Sequence, residues 1–512
     1  MDVRSLMRRA AGFNADREAL VHGEARLTFA EAWERGLRLA NGLLALGLQP
    51  GDRVGVLEDN CLSAGDAFLG LGAANLVRVP LYPRNSREGH LHMLGHTGCR
   101  ALLVTGNHAA SVAGIEADLP ALEHVLVRDA SYEGWLASHS ATDPDPPVSP
   151  GDWYIIRHTA GTTGRSKGVA YSHKAWLDTG RDWFYAWPPV EPGDRCLHIG
   201  PISHGSGYLF TPVWLAGGAN HMVDHFDPGA CLELMERERI SFLFAVPTIL
   251  SALARHPGAR GRDWSALKVI NVGGSPISDD TALLSHEIFG DCLYQIYGQT
   301  EALPATMMGP KEWFSTVPGS TPLRSAGRPL PFADLAIVDE AGNPVATGEL
   351  GEIAVRKDGQ MVEFWENPEA TAERLVGGFV LTGDIGRLDA NGYVYVLDRK
   401  DDMIISGGFN IWPAELENVL MDHPAVVEVA VFGIPDPRWG ETPMAICQTD
   451  GATAVTEAEL VALCLERLGS YKKPSRVVLQ RDPLPHTPVG KLARKQLREP
   501  YWEGVDRRVA GS

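Results

Sequence analysis

Short, almost wholly apolar runs that stop at glycine constrain this chain more than any other feature. Trp153-Tyr154-Ile155-Ile156 leads into a Gly/Thr-rich loop, Leu267 to Val272 (LKVINV) stops at Gly273-Gly274, and Leu293 to Tyr297 (LYQIY) stops at Gly298. Each run reads as a buried strand followed by a tight turn. Helix-like stretches lie between them, such as Pro228 to Arg239 with Leu232, Leu234 and Met235 as its apolar positions. Strand and helix patterns that alternate in this way predict an α/β fold with a largely parallel sheet. Ligands on such sheets sit outside the carboxyl ends of the strands, which is where these glycine turns fall.

The pattern changes from about Leu323 to Asp398. Short strands alternate with turns in FADLAIVDEAGNPV, GELGEIAVRKDG and NGYVYVLD, with turn signals at Asp339 to Asn343 and at Asn391-Gly392. This predicts a small antiparallel β subdomain at about 323–398. The charged break Arg399-Lys400-Asp401-Asp402 follows, and 399–512 carries its own αβ pattern, with strands expected over 426–434 and 444–449. The boundaries expected are therefore 1–398 and 399–512. A chain of 512 residues is long for one core, which agrees with more than one domain.

With 44% hydrophobic and 21% charged residues, the composition is that of a soluble globular protein. The net charge of -18 argues against broad contact with nucleic acid or an anionic membrane. The N-terminal stretch MDVRSLMRRAAGFNADREAL lacks the apolar run of a secretory signal, and no stretch approaches the length of a membrane span. The 7 cysteines include no C-x-x-C pair, which fits a reduced chain better than a disulfide framework or a zinc site. The cytoplasm is the expected location.

HTAGTTGRSKGV, His158 to Val169, is the sharpest local motif. Gly161, Gly164 and Gly168 let the backbone turn and present N–H groups. Thr159, Thr162 and Thr163 add hydroxyls, and Lys167 adds charge. Loops of this kind cradle phosphate oxygens. The spacing is not G-x-x-x-x-G-K-[ST], so it is not the common nucleotide P-loop. A flexible Gly/Thr-rich surface loop is the alternative, weakened by the apolar strand that precedes it.

The loop resembles the signature of the acyl-adenylate-forming superfamily, which holds acyl- and aryl-CoA synthetases, adenylation domains of peptide synthetases and beetle luciferases. Further motifs similar to that family follow in order: PISHGSGY (201–208), VGGSPIS (272–278), YGQTE (297–301), GELGE (348–352), TGD (382–384), DRKDDMIISGGFNIWPAELE (398–417) and PHTPVGK (485–491). The resemblance spans nearly the whole chain. It implies a large N-terminal domain with a small β-barrel subdomain, a hinge, and a mobile C-terminal α+β lid that rotates between two half-reactions. ATP, Mg2+ and coenzyme A are the cofactors and co-substrates it implies.

The roles of individual residues follow from the same resemblance. Tyr297 would stack on adenine beside Gly298, with Gly274, Ser275 and Pro276 on the other side. Thr300 would hold the α-phosphate and Glu301 would ligate Mg2+, a hard cation that takes carboxylate and phosphate oxygens together. Asp384 would accept both ribose hydroxyls, with Arg399 beside it. Lys491 would bridge the attacking carboxylate and the α-phosphate as charge builds in the transition state. Asp401 matches the hinge. Gly407 and Gly408 would edge the pantetheine tunnel, and Trp439, Tyr471 and Lys473 would hold the CoA nucleotide.

The pattern departs from the family at three loop positions. Ala160 stands where Ser is usual and Ser166 where Pro is usual, and weakened or retuned ATP binding is the expected result; His158 stands where an aromatic is common. Glu363 stands where a Gly-Tyr pair often begins.

His204 matches a position that gates the acyl pocket in aryl- and fatty-acid ligases; a core histidine is the alternative. The segment Gly205-Ser206-Gly207-Tyr208 has no acid to pair with an α-ammonium, so the substrate is expected to lack an α-amine. Trp183, Phe184, Tyr208, Val246, Gly273, Gly298, Ala302 and Leu303 are the expected walls, with Gly205, Gly273 and Ala302 leaving space. The aromatic stretch 176–187 (AWLDTGRDWFYAW) either lines one side or is a packed helix.

These residues predict an ATP-dependent acid:CoA ligase acting on a bulky apolar carboxylic acid: aromatic, polycyclic, or medium to long aliphatic. Adenylation followed by transfer to a carrier-protein or partner-enzyme thiol is the second reading. A non-catalytic nucleotide-binding protein is a third, opposed by Lys491, Glu301 and Asp384 together. Luciferase-type oxidation would need a special substrate.

Overall fold

The computed structural model of the chain describes residues 1–159, 166–406, 409–470, 472–487 and 491–503, with the side chains of Asp401 and Asn410 outside the description. Gly161, Thr162, Thr163, Gly164, Gly407, Gly408 and Tyr471 lie outside the described residues, as does the side chain of Asp401. By its internal contacts the chain divides into two compact units, Met1–Leu335 with Val355–Val380, and Ala336–Ala354 with Leu381–Ser512.

The first unit holds two large sheets. In the nine-stranded sheet, Glu18–His22, Ala219–Met222, Arg195–His198, Phe242–Ala245, Val269–Val272 and Leu293–Gln299 run parallel in that spatial order. Antiparallel strands close each side: Ala25–Thr28 on one, and Ala302–Met308 followed by Arg328–Pro329 on the other. In the seven-stranded sheet, Trp153–His158, Val77–Pro80, Arg53–Leu57, Ala101–Thr105 and His124–Arg128 run parallel, and Gly168–Ser172 and Glu363–Phe364 add antiparallel strands at one edge. Phe242–Ala245, Val269–Val272 and Val77–Pro80 are buried at every position. A strand covered by helices on both faces needs apolar side chains on both, which is why these runs read as continuous rather than alternating.

Helices begin where the sequence supplies a cap. Phe29–Ala45 starts from Thr28 in a capping box with Glu31, and its buried face is Phe29, Ala32, Trp33, Gly36, Leu37, Leu39, Ala40, Gly42 and Leu43. The predicted helix from Pro228 is observed as Pro228–Arg237, with Asp227 accepting the Ala230 N–H and proline in its first turn. It ends two residues before Arg239, which takes a left-handed backbone conformation (φ 50°).

A third sheet, five-stranded, is built from Ala333–Val338, Gly351–Lys357, Phe379–Leu388 and Leu375–Val376 in order, with Val394–Arg399 also pairing on Phe379–Leu388. These are the short strands and turns expected over about 323–398. In the second unit another five-stranded sheet joins Phe409–Ile411, Ile404–Ser406, Gly440–Thr449 and Val426–Asp436, with Arg476–Gln480 parallel to Gly440–Thr449. Helices Pro413–Met421 and Glu457–Leu468 contribute Leu416, Leu420, Leu460 and Cys464 to its core. The seven cysteines are all free thiols.

Candidate active site

In the first unit, residues predicted to meet a nucleotide or the acyl group gather at the carboxyl ends of adjacent parallel strands. Val246 follows Phe242–Ala245, Gly273-Gly274 follow Val269–Val272, and Tyr297 lies near the end of Leu293–Gln299. A side chain at Gly273 would meet Ile296 Cγ1 at 2.6 Å and the Ile296 carbonyl oxygen at 2.8 Å, so only glycine lets this turn lie against the next strand. Gly274, Ser275 and Pro276 are exposed and Tyr297 is half-buried. That exposure suits a flat ligand laid between a ring and a turn.

Thr300 and Glu301 occupy a two-residue hairpin turn, because Gln299 pairs with Ala302 across it. The register slips between Tyr297 and Gln299, a bulge centred on Gly298, where a Cβ would meet the Ala302 carbonyl at 2.6 Å. Hairpin turns usually stand in water, yet Glu301 is only 5% exposed. Its charged neighbour is Arg374, at 3.9 Å. Tyr171 donates a 2.6 Å hydrogen bond to the Thr300 carbonyl, and the Met361 N–H donates one of 2.8 Å to the Glu301 carbonyl. The turn is thus pinned at both residues. A buried carboxylate that carries hard oxygen donors, with its backbone fixed, fits a divalent cation shared with phosphate oxygens.

The shoulders of the phosphate loop are described up to Thr159 and from Ser166. The Thr159 N–H donates to the Lys167 carbonyl at 2.9 Å, and His92 hydrogen-bonds the Ser166 carbonyl at 2.8 Å. Lys167 lies 5.2 Å from the centre of the Phe364 ring. His158, fully buried, leans edge-on to His96 and His92, and Tyr82 donates to its carbonyl. Burial, with His96 and His92 beside it, pushes the His158 imidazole down to about 3, so it stays neutral.

His204 and its neighbours form a loop held from several sides. Asn60 donates to the carbonyls of His198 (2.7 Å) and Gly200 (2.8 Å) and accepts from the Ile202 N–H (2.7 Å). Arg157 donates to the carbonyls of His204 (2.7 Å) and Ser203 (3.3 Å). Neither residue was singled out from the sequence. Asn60 follows a strand with no motif around it, and Arg157 reads as an interruption of an apolar run. His204 is half-buried and edge-on to Tyr82, 5.6 Å between ring centres.

The structure corrects part of the expected acyl wall. Trp183 is fully buried, 5.3 Å from Trp187, inside the hydrophobic core, whereas Phe184 on the same helix is 38% exposed. Adjacent positions on a helix point about 100° apart, so these two do not share a wall. The aromatic stretch is a packed helix, His173–Ala186. Gly205 and Gly273 leave no open space either. A Cβ at Gly205 would meet Phe244 at 2.9 Å, as one at Gly273 meets Ile296. Tyr208 and Ala302 are buried, and Val246 and Leu303 are half-buried.

The second unit carries the other group. Asp384 and Arg399 are cross-strand partners, and their side chains pair at 2.8 Å between Arg399 Nε and Asp384 Oδ1. Asp384 is 4% exposed. Lys491 is exposed, and its backbone is tied to Thr487: the Thr487 N–H donates to the Lys491 carbonyl at 2.6 Å, and the Lys491 N–H donates to Thr487 Oγ1 at 3.1 Å. Trp439 is 44% exposed at the tip of the hairpin between Val426–Asp436 and Gly440–Thr449, where Asp436 accepts the N–H groups of Arg438 and Trp439. Lys473 is half-buried.

Next to the charged linker, Arg494 meets Glu417 at 2.9 Å, Asp402 at 3.4 Å and Asp398 at 4.0 Å. Burial pushes the Asp398 carboxyl up to about 7, against the pull of Arg494 and with Glu417 adding to the rise. A folded-state value above the unfolded one binds extra protons in the native state. The stability it provides is full below about pH 4 and is lost as pH rises through 7. Asp398→Asn is expected to remove that slope. Between pH 5 and pH 7.5 the wild type should lose stability relative to the variant, by about 1 kcal/mol per pH unit at most. Denaturant midpoints at the two pH values check this, and parallel curves would exclude it.

A family model described as AMP-binding enzyme matches residues 6–365, and one described as AMP-binding enzyme C-terminal domain matches 415–491. The chain belongs to the AMP-binding enzymes. Among relatives of this AMP-binding enzyme, feruloyl-CoA synthase from an Amycolatopsis species is 37% identical over 499 residues, covering 96% of this chain and 98% of that protein. The medium/long-chain-fatty-acid–CoA ligase FadD8 of Mycobacterium tuberculosis is 33% identical, covering 96% and 89%. Among solved structures, ATP-bound MatB from Rhodopseudomonas palustris superposes with a TM-score of 0.89 at 28% identity, over 99% of this chain and 100% of that one. The large α/β unit, small β sheet and small C-terminal unit of this AMP-binding enzyme agree with the fold the motifs imply. No helix among the described residues is long and apolar enough to cross a membrane.

Proposed function

We propose that this AMP-binding enzyme is an ATP-dependent acid:CoA ligase that makes an acyl-adenylate and then an acyl-CoA thioester from a bulky apolar carboxylic acid. The observation that carries the reading is the Thr300-Glu301 hairpin turn, which buries a carboxylate at the carboxyl ends of the parallel strands where a nucleotide's phosphates belong. In this assignment Tyr297 and Gly274–Pro276 take adenine, Thr159 and Lys167 flank the phosphates, and Asp384 with Arg399 takes the ribose. Glu301 would hold Mg2+, which when bound would neutralise phosphate charge. Lys491 brings an ammonium to the α-phosphate under attack.

His204, Tyr208, Val246, Gly273, Ala302 and Leu303 line the acyl side. The CoA residues are Gly407, Gly408, Trp439, Tyr471 and Lys473, and the domains meet at 398/399 with Asp401 as the hinge. The relatives named for feruloyl and fatty-acid CoA ligation support an apolar acid, and so does the absence of an acidic side chain in Gly205–Tyr208. We infer the cytoplasm as its location, a reading supported by the lack of an apolar signal-like run in the N-terminal stretch. Transfer to a carrier-protein thiol is the second reading, supported by a relative named as a fatty acid–acyl-carrier-protein ligase from Streptomyces coeruleorubidus, 33% identical over 494 residues.

Pyrophosphate release across a panel of acids tests the reading. Release is expected with aromatic, polycyclic and longer aliphatic acids, followed by a CoA thioester detectable by mass. Preference for acetate or an amino acid would overturn the substrate class, and adenylate without thioester would favour the carrier-protein acceptor.

A further inference from the structure

Arg157 is a fully buried cation whose charge no carboxylate of the described residues pairs. It is 1% exposed, and among the described residues no carboxylate comes within 4.0 Å of it. Its guanidinium lies over the Tyr208 ring at 4.3 Å and 5.8 Å from Trp176. One nitrogen, Nη2, donates to the carbonyls of both His204 and Ser203. Nε and Nη1 are buried and have no acceptor among the described residues. A buried guanidinium whose donors lack acceptors is costly in a purely structural role, and an apolar side chain would fill the strand at less cost. Aromatic faces return only part of that.

What Arg157 touches explains its presence. It grips the backbone of the loop that carries His204 and presses on Tyr208, the two residues assigned above to the acyl side. Asn60 fixes the start of that loop through His198, Gly200 and Ile202, and Arg157 fixes its continuation. A planar fork that stacks on a ring while donating in its own plane can hold a loop and an aromatic wall at once; a lysine cannot do both.

We propose that Arg157 is a positioning residue for the acid substrate. By holding the Ser203-His204 backbone and the Tyr208 ring, it sets the shape of the acyl site and thereby selects bulky acids over small ones. The inference rests on the acid-ligase reading of the same site.

The test uses the full-length enzyme with Arg157→Met and Arg157→Lys, measuring pyrophosphate release with a bulky aromatic acid and with butyrate. The expected result is a KM for the aromatic acid raised about 10-fold or more, a KM for ATP within about 2-fold of wild type, and a fall in the aromatic-to-butyrate ratio of kcat/KM. Arg157→Lys should resemble Arg157→Met, since charge alone does not restore the grip. Should neither variant fold, Tyr208→Leu removes the ring that Arg157 braces and should shift the same ratio. An unchanged ratio, an equal rise in both KM values, or wild-type behaviour of Arg157→Lys would overturn the proposal. An active wild type with unchanged variants defeats this inference alone. A wild type that releases pyrophosphate with no acid defeats the functional reading, and the inference falls with it.

Discussion

Lys491→Ala is expected to slow adenylate formation by about 10²- to 10³-fold, while transfer of a supplied acyl-adenylate to CoA stays within a few-fold of wild type. The reasoning begins with where the side chain sits. Lys491 is exposed, and its contacts with Thr487 run through its own N–H and carbonyl. Two residues on, the Ala493 N–H donates to the Pro485 carbonyl at 2.8 Å, so backbone hydrogen bonds hold the chain at and just after Lys491. Truncation removes the charge and keeps these backbone hydrogen bonds. An exposed substitution of this kind shifts stability by no more than about 0.5 kcal/mol, so a large rate loss belongs to the chemistry.

During adenylation the carboxylate gives up negative charge as it bonds to the α-phosphorus, while charge grows on the α-phosphate oxygens and the departing pyrophosphate, and a fixed ammonium stabilises that state more than the ground state. Thioester formation begins from an adenylate already made and has no such need. ATP–pyrophosphate exchange and single-turnover thioester formation, measured separately, distinguish the two steps. Equal losses in both, or no loss in exchange, would show that Lys491 does not act on the phosphorus.

What could be read from the sequence follows from how local each feature is. The parallel strands were legible because burial on both faces writes an unbroken apolar run, as in Phe242–Ala245 and Val269–Val272. Asp384 and Arg399 sit in two separate short motifs, and the register that sets them opposite each other is written in neither. The turn at Thr300-Glu301 was not legible as a turn, since a two-residue hairpin depends on the register of two strands rather than on either one. The aromatic stretch 176–187 left a wall and a packed helix both open, because composition does not say which way a helix faces. Its neighbours decided that: Trp183 faces Trp187 in the core and Phe184 faces solvent. Pairs far apart in sequence left no trace, and Arg494 with Glu417, or Arg157 with the His204 loop, became visible only as contacts.

The largest expected loss of stability comes from Glu58→Gln. Glu58 is 1% exposed and is shared by two arginines that are themselves buried: Arg78 donates to Oε1 at 2.8 Å and Arg128 to Oε2 at 2.6 Å. Each comes from a different strand of the seven-stranded sheet, Arg78 from Val77–Pro80 and Arg128 from His124–Arg128, so the carboxylate ties two strands together across one site. Glutamine offers one acceptor oxygen. Its amide N–H groups would face the second guanidinium donor to donor, and two buried cations would lose their counter-charge. Breaking a buried ionic group by removing one partner costs about 3–5 kcal/mol, which denaturant unfolding would report as a lower midpoint. A triple variant with Glu58→Leu, Arg78→Met and Arg128→Met removes every charge together and should recover much of the loss, because the penalty lies in unpaired charge rather than in missing contacts. The effect should also reach the site. Asn60, two residues after Glu58, holds the loop of Ile202 and His204 through three hydrogen bonds. Under conditions where Glu58→Gln remains folded, its KM for the acid should rise more than its KM for ATP. A Glu58→Gln protein as stable as wild type would mean that the two arginines find other partners, and that this buried network does not hold the edge of the acyl site.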